Sequence, residues 1–477
     1  MTAWRQGCPE SISSAGLKRV SSLAYPEPSI GPTAWNTRLA FVLIACLTVI
    51  LIGPLIIGDM RPLQVSLFIL GLYILKVTAA AIWSTRVSAK EANPGHLPFV
   101  SVLIPARNEE QVIATTIAEV AAQDYCGTDG RPRFEILAID DASTDGTGAI
   151  LSSLSACYGQ LRVLTRRAID GGGKAAALNA ALPLCRGEVI VVFDADILIA
   201  RDFLRTLLSA LNPAIAGVQA RVRIYNRDEH PLAACQDDEF AAFHKVTQLG
   251  RDALDGAVGL GGQGQAVWAA ALRRVGGWHT GASTEDLDLT VRLVLAGQRV
   301  RFCPQAVVWQ EGVTSLPALF RQRRRWAMGN LRVCFTYLWP LIGAPIALRR
   351  RLDYAVYLTS ILTPFWLLLS YLVLNMRLLF HQQSALGLAP VYIVVSAVAY
   401  FPLLLTGLWG EVTRSPLDLI WRVARLWGYS FLWIPIGLAA IWQTVVVRTP
   451  VWDKTPHAGL QRGERLLIGQ GAVDGDA

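Results

Sequence analysis

Charge is scarce in this chain. Of its 477 residues, 17% are charged and 53% are hydrophobic, whereas average soluble domains carry about 25% charged residues. A chain wholly surrounded by water is therefore disfavoured. Histidine is rarer still, with 6 in total, and none stands at zinc-ligand spacing from a cysteine. The 8 cysteines are scattered and no two form a C-x-x-C pair. That speaks against a zinc ribbon or a disulfide framework, and for reduced thiols packed as small apolar groups in a cytosolic domain. Despite a net charge of +8, no run alternates basic residues with aromatics, so nucleic acid is not an expected partner. Basic residues beside apolar segments suit a lipid bilayer better. The polar first thirty or so residues lack an apolar region behind a basic start, so no cleavable signal peptide is expected.

Long apolar runs are what the chain does have. Phe41 to Ile57 and Val65 to Trp83 each approach the roughly twenty residues that cross the hydrocarbon of a bilayer. Three more follow near Ala355–Leu374, Leu388–Leu408 and Leu426–Val447. Arg349, Arg350 and Arg351 precede the first of these, and Arg61 is the lone basic residue of the early loop. The positive-inside rule then puts the N-terminus, the central region and the Arg349–Arg351 cluster in the cytosol. Three late crossings would place the basic tail (Arg448, Lys454, Arg462, Arg465) outside, against the same rule, so two or three crossings stay open. Between the groups, Leu316 to about Gly343 is interrupted by charge and by Pro340. With four arginines beside Phe320, Trp326, Phe335 and Trp339, it reads as helices lying in the interface.

From Pro98 to about Val313 the character is that of a soluble α/β domain. Val100 to Ile104, Phe134 to Ile139 and Val189 to Phe193 are short apolar runs, ended by Pro105, by Asp140-Asp141 and by Asp194. Segments with Ala and Leu at helical spacing separate them. The alternation predicts a mostly parallel sheet covered by helices on both faces. Ligands gather at the carboxyl ends of such strands, which is where the acidic residues fall.

Four constellations could carry chemistry, and each has a plainer reading. Asp141, in Asp140-Asp141-Ala-Ser143-Thr-Asp145, could accept hydrogen bonds from a uracil or a ribose; Ser143 or Asp145 could equally cap the next helix. Asp194-Ala-Asp196 could hold a hard cation such as Mg²⁺ or Mn²⁺ that binds a diphosphate, or could be a solvated strand exit. Thr284-Glu285-Asp286 offers a carboxylate able to remove an acceptor proton, although taken alone a helix cap reads better. In Gln322-Arg323-Arg324-Arg325-Trp326 a guanidinium could meet diphosphate oxygens bidentately, or the run could be a basic interfacial helix. Gly171-Gly172-Gly173-Lys174 fails the phosphate-loop pattern, because Ala175 follows the lysine. Lys174 could still touch a phosphate as a point charge.

In order, SVLIPARNEE, DDASTDGT, GGGKAAALNAAL, VVFDAD, TEDLDL and QRRRW resemble the family 2 glycosyltransferases, above all the membrane-bound ones related to cellulose, chitin and hyaluronan synthases. The resemblance spans roughly residues 98–330. It implies a GT-A catalytic domain, a UDP-sugar donor, Mg²⁺ or Mn²⁺, and inversion to a β-linkage. It further implies that Ala106, Glu109 and Asp141 surround the nucleoside, that Lys174 and Asp194 meet the donor, and that Asp194 and Asp196 bind the metal. Asp286 would be the base, and Gln322, Arg325 and Trp326 the pyrophosphate and acceptor wall. Within the family, Gly261-Gly262-Gln263-Gly264-Gln265 and Trp309-Gln310-Glu311-Gly312 look like the cyanobacterial β-monoglucosyldiacylglycerol synthases, although Gln263 stands where an Asn is expected. A gating loop of the cellulose synthase type is not evident.

The resulting expectation is an α/β GT-A domain between transmembrane segments, multi-pass in a bacterial inner or thylakoid membrane, with the catalytic domain cytosolic. Residues 1–38 would be a tail, 39–85 two transmembrane helices, 98–314 the GT-A domain, 315–345 interfacial helices, 355–447 two or three further spans and 448–477 a second tail. The function expected is transfer of a sugar, glucose by resemblance, from a UDP-sugar to a lipid such as diacylglycerol. A processive β-polysaccharide synthase, with a glycan acceptor, is the runner-up. A non-enzymatic nucleotide-sensing membrane protein is the third reading, and it would have no use for a base beside a metal site.

Overall fold

The computed structural model describes residues 61–86, 97–171, 173–363 and 401–446, with the single residues Ala45, Thr48 and Leu379. Most of the apolar run 41–57 and most of 364–400 lie outside that set, as do both tails. Helix α1 is Arg61–Arg86, followed by strand β1 (Val100–Ala106). Then come α2 (Ile113–Ala121), β2 (Phe134–Asp141), α3 (Thr147–Cys157), β3 (Leu161–Arg166), α4 (Gly173–Ala181), β4 (Val189–Val192) and β5 (Leu198–Ile199). The second half carries α5 (Phe203–Ser209), β6 (Gly217–Ile224), α6 (Pro231–Ala242), a π-helical turn Phe243–Gln248, α7 (Leu249–Ala253), β7 (Gln265–Trp268), α8 (Ala269–Arg274), α9 (Glu285–Leu295) and β8 (Val300–Gln310). The last described elements are α10 (Leu316–Gly343), α11 (Leu348–Thr359), a helix over 401–408, α12 (Pro416–Ser430) and α13 (Trp433–Val446).

The strands form one eight-stranded sheet in the order β3-β2-β1-β4-β7-β6-β8-β5. β3, β2, β1 and β4 are mutually parallel, and β7 runs antiparallel to both β4 and β6. The first four strands have the order of a nucleotide-binding half-sheet, whose switch point lies between β1 and β4. Every residue of β2 is buried, as are four of four in β4. Strands covered on both faces read as unbroken apolar runs rather than alternating ones. One core layer packs Val102, Ile104, Ile117, Val191 and Phe203, and the other packs Leu103, Ile139, Leu178, Ile190 and Leu289. Each such fully buried aliphatic side chain contributes about 1.5–3 kcal/mol.

The elements outside the sheet depart from the expectation in one respect. Residues 316–343 form one continuous helix through Pro340, not several short ones. Pro340 has no N–H to give the carbonyl of Thr336, and its place in the last turn confines that missing bond to the C-terminal end of the helix. Of the expected spans, one helical stretch, Pro416–Thr444, is long and apolar enough among the described residues to cross a membrane, and the apolar part of α1, Phe68–Ser84, is shorter. α1 docks on the α/β domain: Arg251 Nε donates to Tyr73 Oη at 2.9 Å, and that hydroxyl donates to Asp353 of α11 at 2.5 Å.

Candidate active site

The sheet brings its acidic strand ends to one place. β1 ends at Ala106, β2 at Asp141, and β4 runs into Asp194. The two loops leaving β1 and β2 are tied together. Asn108 N donates to Ser143 Oγ at 3.0 Å, Thr144 N to Asn108 Oδ1 at 2.7 Å, and Glu109 N to Thr147 Oγ1 at 2.8 Å. Both loops hold a non-glycine residue in the left-handed region, Asn108 (φ 56°) and Ala142 (φ 58°). Such backbone persists only where its surroundings enforce it, and it gathers at functional sites. Asp145 accepts from Thr147 N at 3.0 Å, but the N-cap of α3 is Gly146 without a side-chain capping bond, so neither Ser143 nor Asp145 is the cap the sequence offered.

A cavity of about 380 Å³ opens over these strand ends. Ala106, Glu109, Asp141, Lys174, Asp194, Asp196, Asp286, Gln322, Arg325 and Trp326 all line it. Residues separated by up to 220 positions thus share one wall system, and none of the ten singled out from the sequence points elsewhere. The motif residues Gln310 and Glu311 line the same space, and so do Gln219, Phe240, His244, Asn330 and Tyr357, which the sequence reading overlooked. No motif marks them. Tyr357 comes from α11 and His244 from a π-helical turn, a feature frequent at functional sites but invisible in residue periodicity.

Electrostatics distinguish the carboxylates. Asp141 pairs with Arg166, and burial, only partly offset by that guanidinium, pushes it above its ordinary value. Lys174 Nζ donates to Asp194 Oδ1 at 2.5 Å and to Gly262 O at 2.7 Å, and lies 3.4 Å from Glu285. Burial opposes the ammonium, but Asp194 and Glu285 outweigh it and hold Lys174 firmly charged. Asp286 sits nearby: a Cβ at Gly262 would lie 3.1 Å from Lys174 Nζ and 3.7 Å from Asp286 Oδ2. Burial, and after it the Glu285 carboxylate, push Asp286 up to about 7. That value suits a base working near neutrality.

Helices α9 and α10 are locked to each other. Asp288 accepts from Arg292 Nε at 2.7 Å and from Tyr337 Oη at 2.8 Å. Gly329 lets α10 approach the loop before α9, since a Cβ there would lie 2.5 Å from Thr284 Cγ2. Thr284 occupies the N-cap position of α9 yet makes no capping bond, and its Oγ1 is buried without a partner among the described residues. The cap reading of this motif therefore fails, and Asp286 is left to face the cavity. On α10, Arg325 lines the cavity, whereas Arg323 is 1% exposed and packs inward. An interfacial position for Arg323 is corrected accordingly.

Among the described residues, no cluster of three or more His, Cys, Asp or Glu side chains could hold a metal by itself. The donor set nonetheless fits a hard cation. Asp194 and Asp196 leave one strand end together into the cavity, and Mg²⁺ commonly takes one or two carboxylates with phosphate and water in the other positions.

A mixed α/β Rossmann-like sheet with strand-end carboxylates facing a basic helix defines a GT-A glycosyltransferase domain, and residues 97–329 match the family described as glycosyltransferase like family 2. That segment is a domain of this family. The chain is 39% identical over 280 residues to a β-monoglucosyldiacylglycerol synthase of Nostoc, covering 58% of each chain. It is 36% identical over 260 residues to the enzyme of that name from Synechocystis, covering 54% of this chain and 53% of the relative. The chain thus spans somewhat over half the length of the curated relatives it matches. A mannosyltransferase structure from Pyrobaculum calidifontis, in complex with GDP-Man and Mn²⁺, superposes with a TM-score of 0.55 at 20% identity, over 81% of this chain and all of that one. The fold is shared.

Proposed function

We propose that this protein is an inverting glycosyltransferase that moves glucose from UDP-glucose to a membrane lipid such as diacylglycerol, leaving a β-linked glycolipid, and that it is a multi-pass membrane protein with its catalytic domain in the cytosol. The observation that carries the reading is the single cavity into which Asp141, Lys174, Asp194, Asp196, Asp286 and Arg325 all open. The names of the relatives at 36% and 39% identity support the lipid acceptor and the glucose.

The chemistry follows from position and charge. Ala106, Glu109 and Asp141 would hold the nucleoside against the ends of β1 and β2. Lys174, permanently charged, would steady Asp194 and face the diphosphate. Asp194 and Asp196 would hold Mg²⁺ or Mn²⁺, which when bound would supply positive charge beside the diphosphate. Asp286 takes the proton from the acceptor hydroxyl as its oxygen bonds the anomeric carbon. The leaving oxygen departs on the opposite side, so the configuration inverts. Arg325, with Gln322, meets the charge that grows on the departing diphosphate; a guanidinium does this with two parallel hydrogen bonds.

The deciding experiment incubates the purified protein in membranes with radiolabelled UDP-glucose, UDP-galactose and UDP-N-acetylglucosamine. An organic-soluble product carrying one glucose is expected. A long product cleaved by glycanases would replace the lipid acceptor with a growing polysaccharide, and no product from any donor would remove the enzyme reading.

A further inference from the structure

Helix α6 carries three consecutive carboxylates, Asp237, Asp238 and Glu239, and each is taken by a different part of the protein. Asp237 receives both Arg223 of β6, at 2.7 and 2.8 Å, and Arg227. Asp238 receives Arg422 at 3.1 Å and also Arg425, both from α12. Glu239 receives Arg323 of α10 at 2.7 Å, Tyr429 Oη of α12 at 3.2 Å and Trp433 Nε1 of α13 at 2.9 Å. Asp237 and Asp238 are each saturated by two guanidinium groups, which leaves Glu239 to neutralise Arg323. Glu239 thus joins the apolar C-terminal helices to the helix that carries Arg325 and Trp326.

Arg323 is an expensive residue to bury. Its side chain is 2% exposed, and Nε has no hydrogen-bond partner among the described residues. Replacing a buried ion pair by apolar groups of similar size is often neutral or stabilising, so fold stability alone gives this pair little purpose. What the guanidinium does is stack. Its carbon lies 4.1 Å from the Trp326 ring centre, against 5.5 Å for Phe240 and 6.0 Å for Trp433. Phe240 in turn meets the Trp326 ring edge-on at 6.4 Å. Trp326 and Phe240 both line the cavity.

We infer that Glu239 and Arg323 are positioning residues. They hold the Trp326 indole as a fixed platform for the acceptor and tie its position to helices α12 and α13. Glu239 fixes the guanidinium, the guanidinium covers one face of the indole, and Arg325 one turn-fraction away stays free to serve the donor. The inference rests on the glycosyltransferase reading and deepens it, because it assigns the acceptor side of the cavity to a device that senses the apolar helix pair.

The test uses the full-length protein in lipid nanodiscs with UDP-glucose and dioleoylglycerol, and measures acceptor KM together with UDP affinity. Arg323→Lys keeps the pair with Glu239 but loses the flat face. It should raise acceptor KM about tenfold, because an ammonium cannot lie flat on the indole while it holds Glu239, with UDP affinity within about twofold of wild type. Glu239→Gln should act in the same direction. Should either variant fold poorly, the double replacement Glu239→Gln with Arg323→Met removes both charges at once and keeps the volume. It should restore thermal stability while acceptor KM stays raised, a split that a merely structural pair would not produce. Unchanged acceptor KM in all three, or equal losses in donor and acceptor binding, would overturn the inference. A wild-type protein that transfers nothing would instead overturn the glycosyltransferase reading, and this inference with it.

Discussion

Asp141 and Asp194 reach the cavity from the ends of β2 and β4, two strands buried along their whole length. Arg325 and Trp326 reach it from a 28-residue helix that is held by side chains distant in sequence, Asp288, Glu239 and Thr284 among them. The first wall is fixed by hydrogen bonds of the main chain; the second is fixed by ion pairs and close helix contacts. Rigid strand ends suit a donor whose diphosphate must be met in one geometry, since an ångström of misplacement costs about 10²-fold. A wall tied to helices α12 and α13 can shift with those helices. Asp286 stands between the two walls, and it is the residue through which the contrast is broken most severely.

Replacing Asp286 by Asn keeps its shape and removes its basicity. Transfer should fall about 10²- to 10⁴-fold, the usual contribution of a positioned base, while UDP affinity is retained. The pH profile carries the same information. Asp286 is held up to about 7 by burial and by Glu285, and only the deprotonated carboxylate accepts a proton. The rate of the wild type should therefore rise with pH through about 7 and then level. A profile flat from pH 5 to pH 8, or full activity in Asp286→Asn, would assign the base elsewhere. Asp196→Ala tests the strand wall itself. Loss of a cation that neutralises a diphosphate removes several kcal/mol of stabilisation, so about 10²-fold or more should be lost. Added Mg²⁺ should not restore the rate, and activity that persists in excess EDTA would refute the site.

How much of this was legible in the sequence follows the same division. The strand wall was readable because a buried parallel strand is a short apolar run, and its carboxyl end is wherever that run stops: VVF before Asp194, FEILAI before Asp140 and Asp141. The carboxylates at those strand ends needed nothing more, whereas the strand order 3-2-1-4 comes from the structure alone. The helix wall was only half readable. The run Gln322 to Trp326 marks it, but helical periodicity does not reveal that Arg323 turns inward while Arg325 faces the cavity. That choice depends on Glu239, 84 residues earlier on α6. Tyr357, His244 and Gln219 arrive through tertiary packing alone, and no local pattern encodes them. The late apolar run read as starting near Leu426 begins inside α12, which starts at Pro416 with Ser415 Oγ as its cap, and continues into α13; the first two turns of α12 carry Asp418 and Arg422 and so escape a search for hydrophobicity.

On the helix wall, Arg325→Lys keeps the charge and loses the fork. An ammonium is a point donor and cannot meet two diphosphate oxygens in parallel. A loss of about 10- to 100-fold in kcat is expected, against the 10²–10³ typical of removing an oxyanion donor outright. Single-turnover kinetics with UDP-glucose would check it. A wild-type rate would make Arg325 a structural cation and leave the departing diphosphate to Lys174 alone.

The mildest test asks whether the two walls share an interior joint. Gly262 sits where they meet: its carbonyl accepts from Lys174 at 2.7 Å, and the added Cβ of Gly262→Ala would lie 3.1 Å from the same Nζ. A lysine tip is flexible and can give by a few tenths of an ångström, so the fold should survive. The shift would loosen one hydrogen bond of Lys174 to its neighbours, and the net worth of such a bond is about 1 kcal/mol. Donor KM should therefore rise about fivefold, with acceptor KM and melting temperature close to wild type. If acceptor KM rose equally, the strand wall and the helix wall would be one mechanical unit, and the division drawn between them would dissolve at this glycine.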